Sequence, residues 1–146
     1  MKKFMQKKLN QKGLTLVELL AVIVILGIIA AIAVPAIGNI ITNSKVNALK
    51  ADGQNVLAAA QMYFAENGAK TVTQADLISG GFLEDAGGFT GTGAVAATVT
   101  KVDSTGNTIS GTAANKGVTV QFNSSTVKNI TDAAVKGTTG TVVVTR

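Results

Sequence analysis

The sequence contains no cysteine, no histidine and no tryptophan, and only a single proline, Pro35. Without cysteine there is no disulfide and no thiol chemistry, so any folded region is held by packing and hydrogen bonds. Without histidine, and with no carboxylate pair or glycine-rich phosphate loop placed by a motif, the chain lacks the usual apparatus of catalysis, and no cofactor is implied. Aromatic residues make up 4% of the chain, which leaves its lysines without the stacking partners that single-stranded nucleic acid requires. The formal charge of +5 is equally uninformative about nucleic acid, because Lys2, Lys3, Lys7, Lys8 and Lys12 all lie ahead of Gly13. Residues 14–146 are formally neutral, so binding to DNA is possible but unsupported by charge.

What is present is concentrated at the N-terminus. The run Leu14 to Val34 is about 21 residues long and is interrupted only by Thr15 and Glu18. At ~1.5 Å per helical residue it can cross a ~30 Å hydrocarbon layer. A secretory signal has a shorter apolar region and a small-residue cleavage site, whereas this run leads directly into further helical sequence. The lysine cluster beside it orients a single-pass segment with the leader in the cytoplasm and the bulk of the chain outside. An acid inside such a run is costly and calls for a partner, which singles out Glu18.

The order Lys12-Gly13-Leu14-Thr15-Leu16-Val17-Glu18-Leu19-Leu20, followed by an Ile/Val/Ala-rich stretch and Pro35, resembles the class III signal of type IV pilins and pseudopilins. The resemblance covers about the first third of the chain. It implies cleavage between Gly13 and Leu14 by a membrane prepilin peptidase, N-methylation of Leu14 by the same enzyme, and assembly roles for Glu18, Gly27 and Pro35. The one departure is Leu14, where the family most often begins the mature chain with Phe. The implied partners are further copies of the chain in a helical homopolymer, the peptidase/methyltransferase, and an inner-membrane assembly platform with its ATPases. The implied use is a pilus for adhesion, twitching motility or DNA uptake. A major pseudopilin of a competence or type II secretion system shares everything up to about Phe64. A single-pass membrane binding module is the alternative of a different class, and it leaves Glu18 unexplained.

Physical chemistry supports the motif independently. A freed α-amino group at Leu14 has a reference pKa of roughly 7.7–8.0 and is mostly charged at neutral pH. If the Glu18 carboxylate of one subunit meets the amine of a neighbour, removing both charges from an apolar medium fixes their axial stagger. Gly27 and Pro35 cost about 1 and 3 kcal/mol in a helix interior relative to Ala. With β-branched residues between them, local unwinding is cheap, and is expected in a filament rather than in the isolated subunit.

Beyond Pro35 the positions Leu49, Gly53, Val56, Leu57, Ala60 and Phe64 recur at three- and four-residue spacing, predicting an amphipathic continuation that Glu66-Asn67-Gly68 ends. The expected architecture is α+β: a leader over residues 1–13, a long helix over 14–67 with 14–38 as its transmembrane or filament-core part, and a Gly/Thr-rich head over 68–146. Thr73 with Asp76 predicts a short capped helix. Alternating runs at Val95 to Val102, Val118 to Phe122 and Thr141 to Thr145 predict a small antiparallel sheet of three or four strands packed on the helical stripe, the lollipop form of pilins. The segments between them, Asp103 to Asn107 and Lys136 to Gly140, read as turns. Glu84-Asp85 reads as a solvated loop rather than a calcium site, and Asp103 to Asn107 lacks the terminal acid of a calcium turn. Lys116, Lys128, Lys136 and Arg146 could share a face, and Asn123-Ser124-Ser125 and Asn129-Ile130-Thr131 match the glycosylation sequon.

Overall fold

A computed structural model describes residues 2–90, 94–135 and 140–146, with side chains from Thr15 onward. Two compact units make up the chain, Met1–Gly38 and Asn39–Arg146. Helix α1, Lys2–Asn67, contributes to both. It runs back through the leader, further than the sequence predicts, because Lys, Gln, Leu and Met are strong helix formers with nothing among them to stop a helix. It also continues unbroken through Gly27 and Pro35. Its end is the expected one: Gly68 takes a φ of +66°, and its N–H donates to the Phe64 carbonyl at 3.1 Å. The left-handed residue thereby satisfies one of the orphan carbonyls of the last turn.

The second unit is built on a five-stranded sheet in sequential order, β1 (Thr71–Thr73), β2 (Val95–Thr100), β3 (Thr108–Asn115), β4 (Val118–Ser125) and β5 (Thr141–Thr145). The first four strands are antiparallel, with Val99 opposite Ile109 and Ala113 opposite Val120. The fifth departs from the expected antiparallel sheet, since β5 lies parallel to β4 with Val120 opposite Val142. A parallel neighbour needs a crossover of a dozen or more residues, and the segment from Ser125 to Thr141 supplies one. That crossover contains helix α3, Val127–Asp132, to which the sequence analysis assigned no element. Helix α2, Gln74–Ser79, forms where predicted: the Thr73 hydroxyl accepts from the Asp76 N–H, and the Asp76 carboxylate accepts from the Thr73 N–H in return. Residues 136–139 of the predicted Lys136 to Gly140 turn lie outside the described residues.

Alternation along the strands decides the core. Ala97 and Val99 of β2, Ile109 and Ala113 of β3, Val118, Val120 and Phe122 of β4 and Val144 of β5 are all buried. They face the outer half of α1, whose Val46, Leu49, Val56, Leu57, Ala60 and Phe64 complete one cluster. Every residue of the predicted stripe is buried, including Gly53. A Cβ at Gly53 would stand 2.7 Å from the Phe122 ring, so helix and sheet are in close contact there. The unit is thus a helix packed on a mixed sheet, and the core draws on both because the head alone has too few large apolar residues.

Candidate anchoring and assembly segment

Between Thr15 and Ser44 the only charged residue is Glu18. Thr15–Asn67 contains a stretch of mean hydropathy 3.0, long enough to cross a membrane. Among the described residues little covers its side chains: Leu16 is 67% exposed, Leu26 58%, Ile32 70% and Ile40 65%. A contiguous apolar surface of this size is incompatible with water and marks a membrane or protein contact. Glu18 sits on this exposed helix, one turn beyond Leu14. Gly13 and Leu14, the predicted scissile pair, lie outside the residues whose side chains are described. Nothing approaches the position of a Cβ at Gly27 or Gly38 within 4 Å, so no contact inside the chain requires either glycine. Gly27 and Pro35 are both unfavourable residues for the interior of α1.

Two acids of the second unit are held in structural work. Asp52 Oδ2 accepts from the Gly88 N–H at 2.8 Å, and Asp85 Oδ1 accepts from the Gly87 N–H at 2.8 Å, so these acids organise the turn at Gly87–Phe89. Gly87 has a φ of +53°, and a Cβ there would collide with the Asp52 carboxylate at 2.6 Å. Asp103 to Asn107 forms the β2–β3 hairpin turn as predicted, with the Asn107 side-chain oxygen accepting from the Val102 N–H. The cationic set is not brought together. Lys128 pairs with Asp132, Arg146 reaches Thr105 at the β2–β3 turn, and Lys116 lies at the β3–β4 turn, the other end of β3. Lys136 is outside the described residues. In the sequons, Ser125 is fully buried and donates to the Val144 carbonyl, while the Asn129 side chain caps α3.

Sequence reasoning missed Lys50. It is 9% exposed, and its Nζ donates to the carbonyls of Ala133 at 2.8 Å and Thr131 at 3.3 Å. A buried ammonium needs such acceptors, and here it ties α1 to the end of α3. Its position on the same helical face as Val46 and Gly53 was the available signal, one turn from each in the buried stripe.

The Prokaryotic N-terminal methylation motif family matches residues 8–34, a span that includes Gly13, Leu14, Glu18 and Gly27. Type II secretion system core protein G of Pseudomonas aeruginosa is 41% identical over 73 residues. Both findings support a likeness of the chain to type IV pilins and pseudopilins. The match covers 50% of this chain and 51% of that relative, so the chain spans about half the length of the curated protein it matches. No solved structure matches it. That likeness agrees with an exposed apolar helix in a chain whose other unit has a well-formed core.

Proposed function

We propose that this chain is a type IV pilin, inserted by its apolar segment, cut between Gly13 and Leu14, methylated at Leu14 and polymerised through α1 into a type IV pilus. The observation that carries this reading is the lone Glu18 on an otherwise apolar, uncovered helix inside the methylation-motif match. In an apolar filament core the carboxylate of one subunit pairs with the N-terminal amine of the next, and the pair sets the axial register. Gly27 and Pro35 allow the segment between them to open when helices pack around it. Adhesion, twitching motility and DNA uptake are the uses such a pilus supports, driven by an assembly platform and separate ATPases. The leader stays cytoplasmic and the head extracytoplasmic.

A second reading is favoured by a specific finding, the similarity to a protein named as a type II secretion core component. In that reading the same processed subunit forms a short filament confined to the cell envelope. The intact mass of the protein in material sheared from the cell surface, compared with the membrane fraction, separates the two. A surface species lacking Met1 to Gly13 and carrying one extra methyl supports the pilus. A processed species found only in membranes supports the pseudopilin. An uncut chain in cells with active peptidase refutes both and revives the membrane binding module.

A further inference from the structure

At the end of the sheet formed by Asn115, Val118 and Thr141, two lysines meet without an acid. Lys45 Nζ donates to the Lys116 carbonyl at 3.5 Å, which places the β3–β4 turn against the first turns of α1 in this unit. Among the described residues, the ion pairs are Lys101–Asp103 and Lys128–Asp132, both elsewhere, so Lys45 and Lys116 keep their charge unneutralised. Lys116 is exposed and Lys45 half-buried. Among the described residues, this end carries the neutral Asn115 and Gly117 and the hydroxyls of Thr119 and Thr141, which bond to each other at 2.8 Å. One helical turn before Lys45, about 6 Å along the axis, the exposed apolar surface ends at Ile40 and Ile41, 65% and 50% exposed. The same helix thus passes from uncovered isoleucines, through Thr42, Asn43 and Ser44, to a cation.

The backbone at Lys116 adds an independent observation. Lys116 and Gly117 form the two-residue loop of the hairpin, with φ of 41° and 84°. Both residues of such a loop need positive φ, for which Asn followed by Gly is the favoured pair. A lysine at the first position bears strain that Asn would relieve. Turn chemistry does not account for lysine here.

We infer that Lys45 and Lys116 form a docking surface for the phosphate groups of anionic phospholipid, holding the head of the unassembled subunit against the outer face of the membrane it is anchored in. The inference rests on the anchoring role proposed for the apolar segment, which brings the uncovered Ile40 and Ile41, and Lys45 one turn beyond them, to the outer side of the membrane. Two lysines give weak attraction, but the anchor keeps the head permanently near the surface, so weak contacts suffice to orient it. Polymerisation withdraws the head and gives up these contacts.

The test uses full-length protein reconstituted in vesicles. Asn115→Cys introduces the sole thiol of the chain for a fluorophore, and lipids carrying a headgroup nitroxide serve as the quencher. The label is expected to be quenched more in phosphatidylcholine mixed with phosphatidylglycerol than in phosphatidylcholine alone, and the difference to shrink at high salt. Lys45→Gln and Lys116→Asn should each lower the docked-to-undocked ratio roughly five-fold, and together abolish the dependence on phosphatidylglycerol. Lys116→Asn suits the positive φ, and unchanged thermal unfolding of both variants separates loss of charge from loss of fold. Equal quenching in the two lipid compositions, with the protein still floating with the vesicles, overturns the docking surface and leaves the anchor intact. Failure to float overturns the anchor, and the docking surface with it.

Discussion

Gly53→Ala sets two effects of opposite sign against each other at the contact between helix and sheet. In a helix interior Ala is favoured over Gly by about 1 kcal/mol, so the exchange should stabilise α1. At this position, however, the new Cβ would meet Phe122 Cζ at 2.7 Å and Cε1 at 2.9 Å. The ring has little room to retreat, since Phe122 is 1% exposed and lies 5.6 Å from the Phe89 ring centroid on its other flank. Overpacking of this kind costs about 1–3 kcal/mol, which outweighs the helical gain and leaves a net loss of about 1 kcal/mol. For a domain of this size that lowers the unfolding midpoint by roughly 4–8 °C. The assay is thermal unfolding of the full-length protein in detergent, followed by near-ultraviolet dichroism so that the head is read rather than the long helix. Phe122→Leu provides the control: with the ring shortened, Gly53→Ala should become stabilising by about 1 kcal/mol, a coupling that a double-mutant cycle isolates. If Gly53→Ala raises stability by the full helical increment in the presence of Phe122, the close contact between α1 and β4 is wrong.

Three further outcomes follow from other parts of the molecule. Thr73→Ala removes the side-chain cap of α2 and should cost about 1 kcal/mol, read as faster amide exchange across Gln74–Ser79. The Thr73 hydroxyl, and then its backbone N–H, hold the Asp76 carboxyl below its ordinary pKa of 3.8. A depressed native pKa gives stability that is present above the unfolded value and lost as pH falls through the native one, so α2 should loosen in acid and Asp76→Asn should flatten that dependence. Glu18→Ala should insert and be cleaved normally yet assemble poorly; sheared filaments in normal yield from that variant would remove the pairing argument.

Legibility in the sequence followed the range of the interactions involved. The stripe from Leu49 to Phe64, the stop at Gly68 and the Thr73 cap depend on residues within a turn or two of each other, and periodicity alone recovers them. Strand β5 was placed correctly between Thr141 and Thr145, but its direction was not, because orientation is set by the crossover rather than by the strand's own residues. Strand β3 was missed: Thr108–Asn115 contains Gly111, whose φ of 157° and close approach to Ala97 make it the site of a register shift, and this interrupts the alternation. The Lys50 contact spans 81 and 83 residues of sequence and leaves no local signature. At the anchoring segment the case is reversed. Among the described residues little covers its apolar side chains, so the lone acid and the apolar run in the sequence say more than the fold of one subunit does.

That contrast bears on what drives assembly. The surface from Leu16 to Ile41 is uncovered in the subunit, and both destinations proposed for it, lipid and filament core, are apolar. Moving an apolar helix from acyl chains to neighbouring helices brings no hydrophobic gain, since lipid tails are as apolar as Leu. The largest contribution therefore cancels to first order between the two states, and the direction of transfer falls to the few polar groups at the ends of the segment. In the proposed filament an amine of the neighbouring subunit can meet Glu18, whereas in lipid the acid has only its own N-terminus or the interface. Lys45 and Lys116 favour the membrane, where phosphate can meet them. On this reading the two sets of polar groups pull in opposite directions. Removing the charge at Glu18 should shift the balance toward the membrane, and removing the two lysines should shift it toward the filament. Opposite changes in the ratio of polymerised to membrane-held subunit, in cells expressing each variant at equal level, are what this balance requires; changes of the same sign would refute it.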